Sequence, residues 1–199
     1  MGIDVDEYVD RQVNHDGTIN ILFVGRIARV RRIEILLQAV AKLSIPYQLI
    51  LVGGEEKTSS MSKSGYLNEL KNLCKTLNIN DHVTFVGSIP QDELSNWYSK
   101  GDIFVYPSLY ENFGQPILEA AAAGLPIIST PVGVAREIII DNETGFLFNG
   151  DDQELASRIT QLSDQSLRIK MGKSLREKVR SLYGWEKIIK QYLGLYHSL

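Results

Sequence analysis

Six short, mostly apolar runs, at 19–24, 47–52, 82–86, 103–106, 126–130 and 145–148, punctuate the first three quarters of this chain. A strand that is apolar on successive rather than alternate positions has no face to give to water and belongs in a sheet covered on both sides. Between the runs lie stretches of helical spacing. Ile33, Leu36, Leu37, Val40 and Leu43 form one such stripe; Leu67, Leu70, Leu73, Cys74 and Leu77 form the next. Shorter helices are expected over 90–99, 116–123 and 133–140. Strands that alternate with helices in this way make a parallel sheet. With right-handed crossovers, the order 3-2-1-4-5-6 follows, so the fold class is α/β, a Rossmann-like three-layer αβα sandwich around a six-stranded parallel sheet.

The flanks are different. Residues 1–18 are polar and unperiodic and read as a linker. The tail is all helix, with a third stripe (Trp185, Ile188, Ile189, Tyr192, Leu193, Tyr196 and Leu199) wider than one sheet face needs. Residues 19–183 are therefore expected to form one domain, and 184–199 a helix that is partly exposed or held by another copy.

Charge is nearly balanced, 21 basic residues against 24 acidic ones, so no global field points to nucleic acid or a membrane. Helices over 165–190 carry eight basic residues and two acidic ones, either a solvated face or an attraction to anionic lipid. The single cysteine, Cys74, suits a buried structural thiol in a reducing compartment. No run approaches a membrane span, and residues 1–4 lack the features of a signal peptide. His15, His82 and His197 are scattered without metal-ligand spacing, so no metal requirement is expected. Trp97, Tyr98 and Trp185 read as packing aromatics, and residues 55–64 as a polar loop.

In an open α/β sheet, ligands sit beyond the C-terminal ends of the strands where strand order reverses. Here that is between the first and fourth strands, and two loops meet there. Residues 25–32 carry Arg26, Arg29, Arg31 and Arg32; residues 107–115 carry Glu111, followed by Gly114 and the start of a very apolar helix. Guanidinium groups can clasp phosphate oxygens, and a helix start offers unpaired N–H groups to an anion. Glu119 lies well inside that helix beside Ala120 to Ala123, where a carboxylate needs a partner or an opening, which makes it a candidate ligand contact.

Glu111 and Glu119 form an E-x7-E pattern. With Phe113-Gly114, Pro116 and Leu118-Glu119-Ala120 it resembles the C-terminal domain signature of retaining GT-B glycosyltransferases, group 1 (family four). The likeness runs from Phe23-Val24-Gly25-Arg26 through Thr144-Gly145-Phe146-Leu147 to Trp185. It implies the C-terminal half of a GT-B enzyme, which binds a nucleotide diphosphate sugar; an N-terminal domain, absent from these residues, supplies the acceptor site. Residues 1–18 would then be the linker from that domain, and 184–199 the helix that crosses back to it.

The resemblance assigns roles. Arg26 and Arg31 hold the donor diphosphate, Glu111 contacts the sugar near the reacting end, and Glu119 accepts hydrogen bonds from the ribose hydroxyls. Gly25 lies in the phosphate loop; Phe113, Gly114 and Gln115 present main-chain N–H groups, so the Gln115 side chain is expected to be replaceable. Around Ser88-Ile89-Pro90, Ile89 reads either as a backbone contact for the base or as a buried isoleucine. Arg29 and Arg32 read as a solvated helix end, and Pro131-Val132-Gly133 with Arg136-Glu137 as structural. Two positions depart from the family. Arg31 stands for the usual lysine, and Arg32 for a glycine where backbone approaches phosphate.

The whole then implies hexosyl transfer, with retention, to a glycan or lipid-linked acceptor in polysaccharide biosynthesis, in the cytoplasm or at the inner membrane face, with no cofactor and no metal. Two alternatives stand beside it: a module that binds a nucleotide sugar without turning it over, or a GT-B relative such as a sugar-nucleotide epimerase or a phosphorylase. No lysine is placed to carry pyridoxal phosphate, and no Gly-x-Gly-x-x-Gly follows the first strand.

Overall fold

A computed structural model describes residues 2–8, 17–55 and 65–197. His15, Leu199, most of the polar loop at 55–64 and the middle of the 1–18 stretch lie outside the described residues. The strands are β1 (Ile19–Val24), β2 (Tyr47–Val52), β3 (Val83–Gly87), β4 (Ile103–Tyr106), β5 (Ile127–Ser129) and β6 (Gly145–Leu147). They form one sheet, β3-β2-β1-β4-β5-β6, with every pairing parallel. The fold class and the strand order are those expected. Every residue of β4 is buried, as are all but one of β1, because helices cover both faces. The edge strand β3 is only half-buried, with Thr84 exposed.

The helices are α1 (Ile33–Val40), α2 (Tyr66–Thr76), α3 (Leu94–Tyr98), α4 (Gln115–Ala122), α5 (Ala135–Ile138), α6 (Asp152–Gln161), α7 (Gln165–Tyr183) and α8 (Trp185–His197). Helix α1 packs on α2 and α6, whereas α4 packs on α3 and α7. These are the two layers, because the chain runs outward in opposite directions from β1 and from β4, and a right-handed crossover then puts α1 and α4 on opposite faces. The alanines of α4 are buried against this packing. Gly172 of α7 allows the approach: a Cβ there would lie 2.0 Å from the Gly124 carbonyl oxygen. Gly124, at φ +74°, also ends α4, with Leu125 N–H donating back to Ala120.

Residues 2–8 are more than a polar lead-in. Ile3 and Val5 are buried; Ile3 N–H donates to the Tyr183 carbonyl, and Asp6 takes two hydrogen bonds from Arg180, at 2.9 and 2.6 Å. Alternating isoleucine and valine among acids was too short a pattern to register as a buried edge. Helix α8 leaves Trp185, Ile189, Tyr192, Leu193 and Tyr196 about half exposed or more. Trp185, expected to pack, keeps about half its surface exposed and sets its ring against Gly2. Cys74 is buried on the inner side of α2, and burial pushes its thiol up, as befits an inert packing residue. Among the described residues, no helix is long and apolar enough to cross a membrane, and no group of histidine, cysteine, aspartate and glutamate could hold a metal ion.

Candidate functional site

The two loops expected to face each other are joined directly. Leu109 N–H donates to the Val30 carbonyl at 2.8 Å, and Ser108 Oγ donates to the same oxygen at 3.1 Å. Between β1 and α1 the chain makes a short 3-10 turn at Arg29–Arg31, then passes through Arg32 in the left-handed region (φ 50°, ψ 43°) before α1 begins. The glycine of the family pattern is therefore a conformational requirement, which this chain meets with an arginine at a cost of about 1 kcal/mol. The Arg32 guanidinium is tied at 2.8 Å to the Gly150 carbonyl. Arg29 pairs with Glu69 and lies over the Tyr66 ring. Both thus have structural partners.

Arg31 is buried, 8% exposed, and its Nη1 is the hub of the site. It lies 2.7 Å from Glu111 Oε2 and donates to Ser108 Oγ at 3.0 Å and to the Tyr110 carbonyl at 3.2 Å. Glu111 also accepts from the Tyr106 hydroxyl at 2.8 Å and from the Asn112 N–H at 3.0 Å. Burial works to raise its pKa, but the Tyr106 hydroxyl and the Arg31 charge outweigh that and hold the carboxyl below its usual range. So Glu111 is ionised. The separate roles assigned to Arg31 and Glu111 are, in this structure, one ion pair.

Glu119 sits in a second network on α4, 3% exposed, accepting from the Tyr98 hydroxyl at 2.8 Å and from the side chains of Gln115 and Gln91. Burial raises its pKa, and these three donors only partly offset the effect. The Gln115 side chain, expected to be replaceable, is thus a partner of Glu119, and its own Oε1 is buried without a partner. Tyr98, read as a packing aromatic, is fully buried yet spends its hydroxyl here. Tyr106, Ser108 and Gln91 were likewise missed. The only available signal was a tyrosine where phenylalanine would fill the same buried space.

The remaining site residues line the same end of the sheet. Phe113 turns its carbonyl back to Val134 N–H at 2.7 Å, against Gly133, where a Cβ would lie 2.4 Å from that oxygen. Since the 113–114 peptide is planar and trans, the Gly114 N–H points the opposite way. Gly114 is left-handed (φ 92°), and the Gln115 N–H begins α4 ahead of Pro116, with no intrahelical acceptor. Gly25, Arg26, Gly54, Glu55, Ser88 and Ile89 line an open cleft of about 260 Å³ at the ends of β1, β2 and β3. Gly53 closes its floor, with a Cβ position only 1.9 Å from the Gly25 carbonyl oxygen.

A parallel sheet in this order, with an arginine-rich loop that meets, at the strand-order reversal, a helix start, the buried carboxylate of Glu119 and the partly buried one of Glu111, defines the C-terminal Rossmann-like domain of the GT-B architecture. The chain belongs to the family of glycosyl transferases group 1, whose family model matches residues 4–181. It is 34% identical over 184 residues to the D-inositol 3-phosphate glycosyltransferase of Corynebacterium urealyticum, covering 89% of this chain and 42% of that protein. The chain thus spans less than half the length of that relative. Among solved structures it is similar to sucrose-phosphate synthase from Thermosynechococcus elongatus (TM-score 0.86, 33% identity, 99% of this chain and 51% of that one). The fold also matches Anabaena HepE, solved with UDP and glucose (TM-score 0.85, 23% identity, 100% of this chain and 56% of that one).

The state of Glu119 makes a prediction. A carboxyl whose folded pKa is raised holds its proton in the native state where the unfolded chain has lost it, so stability falls as pH rises from about 4 through the folded value. Glu119→Gln is therefore expected to raise the melting temperature at neutral pH, with the gain gone near pH 4. It should weaken nucleotide binding by about 10- to 100-fold, the range for hydrogen bonds to a charged group. A variant that is less stable at pH 7 and binds nucleotide normally would make Glu119 a structural residue.

Proposed function

We propose that this chain is the donor-binding part of a retaining glycosyltransferase. In this reading it holds a nucleotide diphosphate sugar and, with a second domain that carries the acceptor, transfers the hexosyl group to a glycan or lipid-linked acceptor. The observation that carries it is the Arg31–Glu111 pair, its arginine buried and its carboxylate partly so, where the β1 and β4 loops meet beside the α4 start. One member suits a diphosphate and the other a sugar hydroxyl. Family membership and the fold shared with HepE, which holds UDP and glucose, support the same ligand class.

In this scheme, Arg26, Arg31 and the amides of Gly114 and Gln115 stabilise the diphosphate as the glycosidic bond loosens, by charge already in place before reaction. Glu119 takes the ribose hydroxyls as an acceptor, and Ile89 with its neighbours holds the base in the 260 Å³ cleft. Attack comes from the face the diphosphate leaves, and the departing phosphate accepts the acceptor's proton, so no covalent nucleophile is assigned. Neither metal nor cofactor takes part. The setting is cytoplasmic polysaccharide synthesis, with the basic face of α7 drawn weakly to the inner membrane surface.

Calorimetry with UDP, GDP and ADP and their glucose conjugates, in the presence of a chelator, tests the reading. At least one nucleoside diphosphate is expected to bind, and Arg26→Ala to weaken it by about 1.5–3 kcal/mol. Equal affinity for the free nucleoside and its diphosphate would sink the phosphate assignment of the arginine loop.

A further inference from the structure

We propose that Tyr106 is a positioning residue that keeps Glu111 aimed at the donor sugar once the diphosphate has drawn Arg31 away; this rests on the donor-binding reading above. The starting point is a conflict within the site. Arg31 is the buried cation available to a diphosphate, yet its Nη1 is already committed to Glu111 at 2.7 Å. One guanidinium then faces two anions, and the more highly charged one wins the larger share. Glu111 would be left with two donors, the Tyr106 hydroxyl and the Asn112 N–H.

Of those two, Tyr106 is the one that cannot drift. It ends β4, is 1% exposed, and its ring is stacked on Phe23 (5.8 Å, 12°) and on Phe104 (6.0 Å, 16°). On packing grounds alone a phenylalanine would fill the place. The hydroxyl emerges from this stack to donate to Glu111 Oε2, the same oxygen that Arg31 holds. The ring also carries the Arg31 guanidinium 5.4 Å from its centroid, and its Cε2 lies 3.7 Å from where a Gly25 side chain would start. One side chain therefore touches both walls of the anion site. When Arg31 turns to phosphate, Oε2 keeps its Tyr106 bond and regains a lone pair on the side Arg31 has vacated, where a sugar hydroxyl can donate. The sugar-binding acceptor is thus released by the diphosphate itself, and Tyr106 preserves its direction through the exchange.

The test is calorimetry of the 199-residue chain with UDP and with UDP-glucose, replaced by the GDP or ADP pair if that is the nucleotide it binds. In Tyr106→Phe, affinity for the bare diphosphate should stay within about twofold, while the ratio of the nucleotide-sugar to the nucleotide dissociation constant rises about tenfold. NMR titration should place the Glu111 carboxyl at higher pH in this variant, because a donor to its ionised form is gone. Glu111→Gln should tighten the bare diphosphate severalfold, since Arg31 no longer has a competing anion. An unchanged ratio in Tyr106→Phe, or equal losses for both ligands, would overturn the positioning role. Weaker diphosphate binding in Glu111→Gln would overturn the exchange. A wild-type chain that binds none of these nucleotides would instead bring down the donor reading, whatever the variants do.

Discussion

Replacing Arg31 with methionine is expected to cost about 3 kcal/mol of folding stability and to weaken diphosphate binding at least about a hundredfold. Methionine fills much of the same space, so the loss is the charge. Without it, Glu111, with 16% of its side chain exposed, is left ionised in the loop with one hydroxyl and one N–H, and the Ser108 hydroxyl and Tyr110 carbonyl lose their shared donor. Urea denaturation of the single variants and of Arg31→Met combined with Glu111→Gln separates the contributions. The double variant should recover most of the stability, because the stranded carboxylate is gone, and none of the binding. The pH dependence has a fixed sign. A carboxyl depressed in the folded state contributes stability that is present above its unfolded value of about 4 and is lost as pH falls through the folded value. The difference between wild type and Arg31→Met should therefore shrink in acid. A loss under about 1 kcal/mol at pH 7 would mean that the pair behaves as an ordinary surface bridge.

The second large effect concerns turnover. Assayed with the same donor and acceptor, the 199-residue chain is expected to be at least about a thousandfold slower than a version extended upstream by a second α/β domain. The bond that breaks has to be closed off from water and aligned with an acceptor hydroxyl, and in this reading the other wall of the crevice performs both tasks. The chain matches only 42% of the first relative's length, and the apolar face of α8, with Ile189, Tyr192 and Tyr196 exposed, fits a helix that awaits a packing surface. Comparable turnover by the short form would show that these residues are a complete enzyme.

Where the candidate residues sit was legible before any coordinate, and the pairings that were missed have a common cause. Arg26, Arg31, Glu111, Gly114 and Glu119 were all singled out, and all five lie on the β1 and β4 loops or on α4. Charged residues in loops that follow buried strands stand out because nothing about the fold requires them there. Tyr98 and Tyr106 did not stand out, since an aromatic in a buried run is accounted for by packing, and only its hydroxyl, paired with a carboxylate, tells otherwise. Gln115 was read through its backbone alone, and its side chain turned out to serve Glu119. Ile3 and Val5 lie in a stretch too acidic and too short to show a period, yet they complete the core beside α7.

What the chain's own order of residues determined is the architecture: six apolar strands alternating with helices, in the order 3-2-1-4-5-6, with the β1 and β4 loops at the point of reversal. Apolar periodicity reads burial directly, and the handedness of crossovers leaves few ways to connect the strands, so local pattern suffices for that much. What only the tertiary structure decided is who pairs with whom. Arg31 meets Glu111, Tyr98 meets Glu119, Arg32 settles on Gly150 in a left-handed turn, and Tyr106 bridges the two loops. Those partners come from separate loops, strands and helices, and their meeting depends on strand register, helix placement and rotamer choice at the scale of an ångström. No periodicity along a chain encodes distances of that kind; they exist only once β1 and β4 lie side by side.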